Sequence, residues 1–319
     1  MPARIYLNSM SKLNGLLRNQ TVFTRYKLWN PRGSRTLTTE MRKFELEKHK
    51  IQKGFGLVVV NKEFCVSSKF ENLASADTDK KNIEEFCKSA NIETVGNTSL
   101  PTHDLKADEM KHLFNTISKK DFSCYDAFIC FISSHGTSEG IDGIDGKPIS
   151  ENEILEPFKN CASLEGKPKL FFIQSCGGEK EDTGVRQSKV VADHAHSIFP
   201  PFEADVLVAV SSVDGYRSYR SKESGSVFIT ELTKVFNKHA HNMNLTDMLT
   251  IVSKTISEEN FQLPYDKSVQ YKQVPCFSST LRKAIYFDVP EPNHLGCIAE
   301  RVNSAIQWIV NALKSLKFL

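Results

Sequence analysis

The sequence lacks the features that mark several classes of protein. Its eight cysteines contain no Cys-x-x-Cys pair with matching histidines, so neither a zinc site nor a disulfide framework is predicted. No apolar run reaches the length of a membrane-spanning helix. A net charge of +3 over 319 residues gives no argument for a nucleic-acid partner, and we expect none. Cysteines scattered through apolar runs fit a reducing compartment, which predicts a cytoplasmic location.

The N-terminus lacks acidic residues. Residues 1–39 contain seven lysines and arginines and no aspartate or glutamate. This composition is found in mitochondrial transit peptides, and it is also found in disordered basic propeptides. We therefore predict a disordered basic propeptide over residues 1–49, with a mitochondrial transit peptide as the alternative.

Two apolar runs each end close to a residue that can take part in catalysis. Residues 126–132 lead to His135 and Gly136, and residues 169–174 lead to Cys176, which two glycines follow. A cysteine thiolate paired with an imidazole is an activated nucleophile for an amide carbonyl. The glycines allow backbone N–H groups to approach the substrate carbonyl. The pattern predicts a Cys/His pair at two strand ends.

The spacing of apolar residues predicts alternating strands and helices. The predicted strands cover residues 54–60, 126–132, 169–174, 205–211 and 274–281, and the predicted helices cover residues 79–90, 105–118, 150–160, 226–238 and 245–257. Asp79 is the predicted N-cap of the first helix. This order favours an α/β fold with a mostly parallel sheet covered on both faces. Sites in such sheets form at the carboxyl ends of the strands, where His135 and Cys176 lie.

The segment around Cys176 resembles the caspase signature. It reads Gln-Ser-Cys-Gly-Gly, where caspases have Gln-Ala-Cys, one of Arg, Gln or Gly, and then Gly, with a histidine upstream. Other caspase-like segments occur in caspase order: Ser134–Gly136, Gly166–Ile173, Ser218–Arg220 with Gly225 and Ser226, Val274–Cys276, and Ile285–Phe287. The resemblance covers roughly residues 50–287. It implies a six-stranded caspase-like sheet with helices on both faces, protein substrates and no cofactor or metal.

The resemblance also implies a domain organisation. The expected segments are a propeptide at 1–49, a large-subunit region at 50–182, an inter-subunit linker at 183–203, a small-subunit region at 204–288 and a C-terminal amphipathic helical extension at 289–319. The linker offers two aspartates for zymogen processing. Cleavage is expected after Asp193, with Asp182 as the alternative.

Catalytic roles follow from the resemblance. Cys176 is the expected nucleophile and His135 the expected general acid/base. The backbone N–H groups of Gly136 and Cys176 are expected to form the oxyanion hole.

Substrate-binding roles follow in the same way. Gln174 and Arg220 are expected to line the pocket for the P1 residue, which precedes the scissile bond. Because a guanidinium group binds a carboxylate with two parallel hydrogen bonds, Arg220 implies selection of aspartate. Ser218 and Arg220 are expected to hold the substrate backbone as an added strand, and Tyr219 to pack on the P2 side chain.

The chain departs from the caspase pattern in its first third. Caspases carry a second pocket arginine there, in an Arg-x-Gly-x-x-x-Asp setting, but no arginine occurs between Arg42 and Arg186. Loss of one charge-assisted hydrogen bond predicts a roughly tenfold to hundredfold weaker site for aspartate. Arg186 or Arg217 are alternative sources of the missing charge.

Two functions remain open on these grounds. The first is an aspartate-directed cysteine endopeptidase, made as a zymogen and acting in apoptotic or related signalling. The alternative is a catalytically weak caspase homologue, a decoy or regulator that dimerises with an active caspase. The expected partners are protein substrates, a second copy or another caspase, and apoptosis-inhibitor proteins.

The C-terminal extension carries an apolar stripe at helical spacing. Seven residues form it: Leu295, Ile298, Val302, Ile306, Ile309, Leu313 and Leu316. The stripe predicts a helix that packs on the caspase body, on a partner helix or, with Trp308 and two late lysines, on a membrane surface.

Overall fold

The computed structural model describes residues 46–95, 100–176, 178, 204–213, 216–221, 224–263 and 266–290. The chain divides into two compact units, residues 1–47 and 48–319, and every described strand and helix belongs to the second. Most of the predicted propeptide, the linker at 183–203 and the extension from residue 291 onward lie outside the described residues. No helix in the described part of the chain is long and apolar enough to cross a membrane.

The described residues form fifteen strands and five α-helices. The strands are β1 (Lys48–Ile51), β2 (Gly54–Val60), β3 (Ile92–Thr94), β4 (Ala127–Ser133), β5 (Gly136–Thr137), β6 (Gly140–Asp142), β7 (Pro148–Ile149), β8 (Lys169–Gln174), β9 (Val206–Val210), β10 (Arg220–Ser221), β11 (Gly225–Ser226), β12 (Phe261–Leu263), β13 (Asp266–Tyr271), β14 (Cys276–Ser279) and β15 (Ala284–Phe287). The helices are α1 (Ala76–Ser89), α2 (Ala107–Ile117), α3 (Glu151–Lys159), α4 (Val227–His239) and α5 (Leu245–Glu258).

The central sheet has six strands in the order β14-β9-β8-β4-β2-β3. The strands from β9 to β3 are parallel to their neighbours, and β14 pairs antiparallel with β9 at one edge. The predicted α/β fold with a mostly parallel six-stranded sheet is therefore confirmed. The predicted strands 54–60 and 169–174 match β2 and β8 in full, and the other predicted elements differ by one to three residues at their ends.

Helices cover both faces of the sheet because its inner strands are apolar on both sides. In β4, Ala127, Ile129 and Phe131 belong to the core under α1, α4 and α5. The alternate residues Phe128, Cys130 and Ile132 belong to the core under α2 and α3. The side chains at the end of β4 therefore continue this alternation, which decides the face on which pocket residues lie.

Strand β1 pairs in parallel with β15 and lies outside the central sheet. It begins at Lys48, so it includes the last two residues assigned from the sequence to the propeptide. Only Ile51 of this strand is buried. A single apolar residue gives no alternating pattern, which is why the sequence did not indicate a strand here.

Helix α1 begins three residues before its predicted start, and the predicted capping role of Asp79 is wrong. Ser75 precedes the helix, and Asp79 lies one turn inside it with 0% exposure. Its carboxylate faces the carboxyl end of β4 and not its own helix terminus. This placement makes Asp79 a residue of the candidate active site.

Candidate active site

The predicted Cys/His pair lies at the carboxyl ends of two adjacent strands. Ser133 and Gln174, the last residues of β4 and β8, are paired in register. One residue further on, the Ser134 amide donates to the Gln174 carbonyl oxygen at 3.0 Å. His135 and Cys176 each lie two residues beyond their strand, so parallel pairing places both at the same edge of the sheet.

Gly136 joins the two strand ends in close contact. A Cβ atom at this position would lie 2.8 Å from Ser175 Cβ and 2.9 Å from the Cys176 carbonyl oxygen. Both distances are shorter than carbon contacts in packed proteins, so only glycine fits. We call His135, Gly136, Ser175 and Cys176 the catalytic corner. The role of the Gly136 and Cys176 N–H groups as an oxyanion hole stays a prediction.

Aromatic rings enclose the His135 imidazole. Phe70 stacks on it with ring centroids 4.6 Å apart, and Phe64 meets it edge-on at 4.8 Å. This burial is the main cause that lowers the pKa of His135 below its usual value, and the positive charge of Arg220 acts in the same direction. The ring is therefore neutral near pH 7.

The Glu71 carbonyl oxygen fixes the tautomer of this ring. It lies 2.9 Å from Nε2 of His135. A carbonyl can only accept, so Nε2 carries the proton, and Nδ1 of the neutral ring keeps a lone pair. His135 thus has one nitrogen that orients the ring and one that can accept a proton.

The Cys176 thiol lies against the segment that carries the predicted substrate-binding residues. Its Sγ atom is 3.6 Å from Ser218 Oγ and 3.8 Å from the Ser218 carbonyl oxygen. Cys176 is partly exposed, whereas Cys87 and Cys130 are buried, and burial raises the pKa of Cys87 to about 12 and raises that of Cys130 as well. None of the seven described cysteines forms a disulfide. Cys176 is therefore accessible, whereas Cys87 and Cys130 are buried thiols that stay protonated.

Arg220 is held by a buried ion pair. Its guanidinium nitrogen Nη1 lies 2.8 Å from Asp79 Oδ2 but forms no hydrogen bond within the described residues, and Nη2 donates to Ser133 Oγ at 2.9 Å. The Arg220 side chain is 15% exposed and that of Asp79 is 0% exposed. The predicted pocket arginine is thus in the site, and its charge is matched by an acidic residue that the sequence did not assign to the site.

Gln174 lies next to this ion pair. Parallel pairing places its side chain beside that of Ser133 on the face of α1, α4 and α5. Gln174 Nε2 donates to Ser218 Oγ at 2.9 Å. Its Oε1 atom is buried and has no hydrogen-bond partner within the described residues. We call Asp79, Ser133, Gln174 and Arg220 the P1 pocket, after the role expected of Gln174 and Arg220 at the P1 residue, which stays a prediction.

Leu73 occupies the place of the missing arginine. When Asp79 is taken as the aspartate of the Arg-x-Gly-x-x-x-Asp setting, the arginine position is Leu73. Leu73 is half-buried and packs against the core under α1, and its amide donates to the Lys62 carbonyl oxygen at 2.9 Å. An apolar side chain therefore replaces the expected charge. Arg217 lies in the described residues 216–221, and Arg186 lies outside them.

Tyr219, which is expected to contact the substrate P2 side chain, is largely buried within the protein. It is 8% exposed and stacks on Phe261 with ring centroids 5.2 Å apart. Its amide donates to Gln273 Oε1 at 2.7 Å. Its role at the P2 side chain stays a prediction. The predicted processing sites at Asp182 and Asp193 lie outside the described residues.

The chain is similar in sequence to known proteins. The caspase domain family matches residues 53–286. The chain is 34% identical to Caspase-3 from Bos taurus over 237 residues, which are 73% of this chain and 84% of that protein. It is 31% identical to Caspase-3 from Mus musculus and 33% identical to Caspase-3 from Oryctolagus cuniculus over the same length, with 73% of this chain and 83% of each relative covered. The chain therefore belongs to the caspase family of cysteine peptidases.

Proposed function

We propose that this protein is an endopeptidase that cleaves after aspartate in apoptotic or related signalling. The observation that carries the proposal is the contact at Gly136, which holds the strand end of His135 against that of Cys176. The neutral, oriented imidazole and the accessible thiol are the two groups that acyl transfer by cysteine requires. Arg220 supplies the cation for a P1 carboxylate.

The proposed reaction uses these groups in two steps. The Cys176 sulfur attacks the scissile carbonyl carbon, and its proton passes to Nδ1 of His135. The imidazolium returns the proton to the leaving amine as the C–N bond breaks, which gives a thioester. Water then attacks the thioester, gives up a proton to His135 and releases the carboxylic acid product, and the proton returns to Cys176.

One observation favours the alternative, a weak homologue that regulates an active caspase as its dimer partner. Arg220 is the one cation of the P1 pocket among the described residues, and it pairs with Asp79, so a substrate carboxylate has to compete for it. A slow enzyme that still dimerises would act mainly through its partner.

Turnover of a peptide library by the purified full chain tests the choice. We expect cleavage after aspartate by the wild type and by Cys124→Ala, which changes an exposed cysteine outside the site, and none by Cys176→Ala. Turnover that survives Cys176→Ala would disprove the assigned nucleophile. A folded dimer without turnover would reject the peptidase and favour the regulatory alternative.

We further propose that the chain is a zymogen processed after Asp193, with Asp182 as the weaker site. Asp193 follows Val-Val-Ala in a stretch without apolar periodicity, where an extended backbone can enter a protease. Asp193→Ala should abolish the main processing product on a gel. Normal processing of the Asp182→Ala/Asp193→Ala double variant would reject both sites.

We propose a cytoplasmic location, with the mitochondrion as the alternative that the basic N-terminus supports. Imaging of the full chain beside a variant that lacks residues 1–39 distinguishes the two. Mitochondrial signal that depends on residues 1–39 would reject the cytoplasmic proposal.

A further inference from the structure

Among the described residues, the four side chains of the P1 pocket carry no net formal charge. Arg220 contributes one positive charge, Asp79 contributes one negative charge, and Ser133 and Gln174 are neutral. Leu73 adds no charge where the caspase pattern has an arginine. A substrate aspartate would therefore be the second carboxylate beside a single guanidinium group. The attraction of Arg220 for that carboxylate is therefore offset by repulsion from Asp79.

Asp79 cannot move aside easily when a substrate enters. Its Oδ1 accepts from the Ser226 amide at 2.7 Å and from Ser226 Oγ at 3.1 Å, and its Oδ2 accepts from Ser133 Oγ at 2.9 Å. These bonds join α1 to the beginning of α4 and to the end of β4. The negative charge is thus a fixed part of the pocket.

The pocket also offers a buried acceptor. Gln174 Nε2 donates to Ser218, which leaves Oε1 buried without a donor among the described residues. An unpaired buried acceptor is unfavourable and is relieved by a donor. The amide of asparagine brings an N–H donor in the shape of aspartate, whereas a carboxylate brings only acceptors.

We propose that Asp79 is the residue that sets P1 selectivity, because it neutralises Arg220 and so lets asparagine compete with aspartate at this site. The inference rests on the proposed function, since Arg220 and Gln174 form the P1 pocket only in a caspase-type peptidase. Asp79 acts through Arg220 and is a positioning residue. Removal of its charge should restore the preference for aspartate.

The test compares two peptides that differ only at P1, aspartate or asparagine. We expect the wild type to cleave both within roughly tenfold of each other in kcat/KM, and Asp79→Asn to raise the aspartate-to-asparagine ratio by roughly tenfold to hundredfold. Asp77→Asn is the matched control, because it removes an exposed carboxylate from the same helical turn, and it should leave the ratio unchanged. A merely structural effect would lower both rates together, so the ratio isolates the charge.

A second variant keeps the inference testable if Asp79→Asn does not fold. Leu73→Arg adds a positive charge and leaves the ion pair intact, so it should raise the ratio, whereas Leu73→Gln should not. An unchanged ratio in both Asp79→Asn and Leu73→Arg, with wild-type melting temperatures, would overturn the inference, and so would a wild type that already prefers aspartate by more than a hundredfold.

Binding measurements with the same two peptides distinguish the failure of this inference from the failure of the proposed function. On a Cys176→Ala background, the affinities of the two peptides give the aspartate-to-asparagine ratio without catalysis. If the enzyme shows no turnover but Asp79→Asn still shifts the ratio of the two affinities, the peptidase is rejected and the role of Asp79 is supported. If the enzyme turns over but no variant shifts this ratio, the peptidase is retained and the role of Asp79 is rejected.

Discussion

The catalytic corner and the P1 pocket lie at the same edge of one sheet but depend on different kinds of contact. The catalytic corner is formed by two adjacent strands that end in register, with Gly136 as the point of closest approach. The P1 pocket joins α1 and β4 to Arg220, the first residue of β10. The hydrogen bond that anchors Asp79 comes from Ser226, which is 147 residues away in the sequence. One edge of a sheet can therefore combine a site formed by strand pairing with a site formed by an ion pair between residues distant in sequence.

Strand pairing made the catalytic corner predictable from the sequence. The apolar runs that form β4 and β8 show where each strand ends, and His135 and Cys176 each lie two positions after the strand end. Parallel pairing then brings the ends together without knowledge of any long-range contact. Apolar runs likewise predicted five of the six strands of the central sheet, whereas the count of six came from the resemblance and β3 was not predicted.

The P1 pocket could be predicted only in part. Arg220 and Gln174 came from the resemblance, but Asp79 carried the signal of a helix cap, since an acidic residue before an apolar pattern usually has that role. The helix begins earlier, at Ala76, so that Asp79 faces β4. Likewise, the orienting group of His135 is the backbone carbonyl of Glu71, which no side-chain pattern can indicate.

The largest expected effect is a loss of stability from a substitution that disrupts the P1 pocket and leaves the catalytic corner intact. Arg220→Met leaves the buried Asp79 carboxylate without its cation, which should lower the free energy of unfolding by about 3–5 kcal/mol. Urea denaturation on a Cys176→Ala background, which prevents self-cleavage, measures the change. Asp79→Asn added to Arg220→Met removes the unpaired charge and should recover most of the loss.

The matched control for Arg220→Met is Lys62→Met. Lys62 Nζ lies 2.7 Å from the carboxylate of Asp77, which is on the exposed side of α1, the helix that also carries Asp79. Exposed ion pairs contribute little to stability. An equal and small effect of the two substitutions would show that the Arg220–Asp79 pair does not stabilise the fold. An Arg220→Met variant that Asp79→Asn fails to rescue would point to lost packing and not to the unpaired charge.

The second prediction breaks the catalytic corner. In Gly136→Ala the new Cβ meets backbone and Cβ atoms of Ser175 and Cys176 that cannot rotate away. We expect kcat/KM to fall by about a hundredfold, since a displacement of about 1 Å costs this much in a catalytic geometry. Peptide hydrolysis and the rate of Cys176 alkylation by iodoacetamide report the change.

Gly166→Ala provides the contrast to Gly136→Ala. Gly166 has a φ of +70° with open space around its Cβ position, so alanine strains the backbone there without touching the catalytic corner. It should lower the melting temperature and keep kcat/KM. A Gly136→Ala variant with full activity would show that the two strand ends are not held in this contact.

The smallest expected effect concerns the acid limit of activity. Phe70→Ala removes the ring that stacks on His135, so water reaches the imidazole and the burial that lowers its pKa is reduced. The pKa of His135 should rise toward its usual value, and since the neutral ring is the active form, the acid limb of the pH profile should move to higher pH. The measurement is kcat/KM against pH, which reports groups of the free enzyme.

Val66→Ala is the control for this shift because Val66 is fully exposed on the same loop. Its acid limb should coincide with that of the wild type. Three smaller contributions are not altered by Phe70→Ala unless the loop itself moves. The carbonyl and the charge of Glu71 raise the pKa of His135, and the charge of Arg220 lowers it. An acid limb that stays in place or moves to lower pH would mean that burial by Phe70 does not control the protonation of His135.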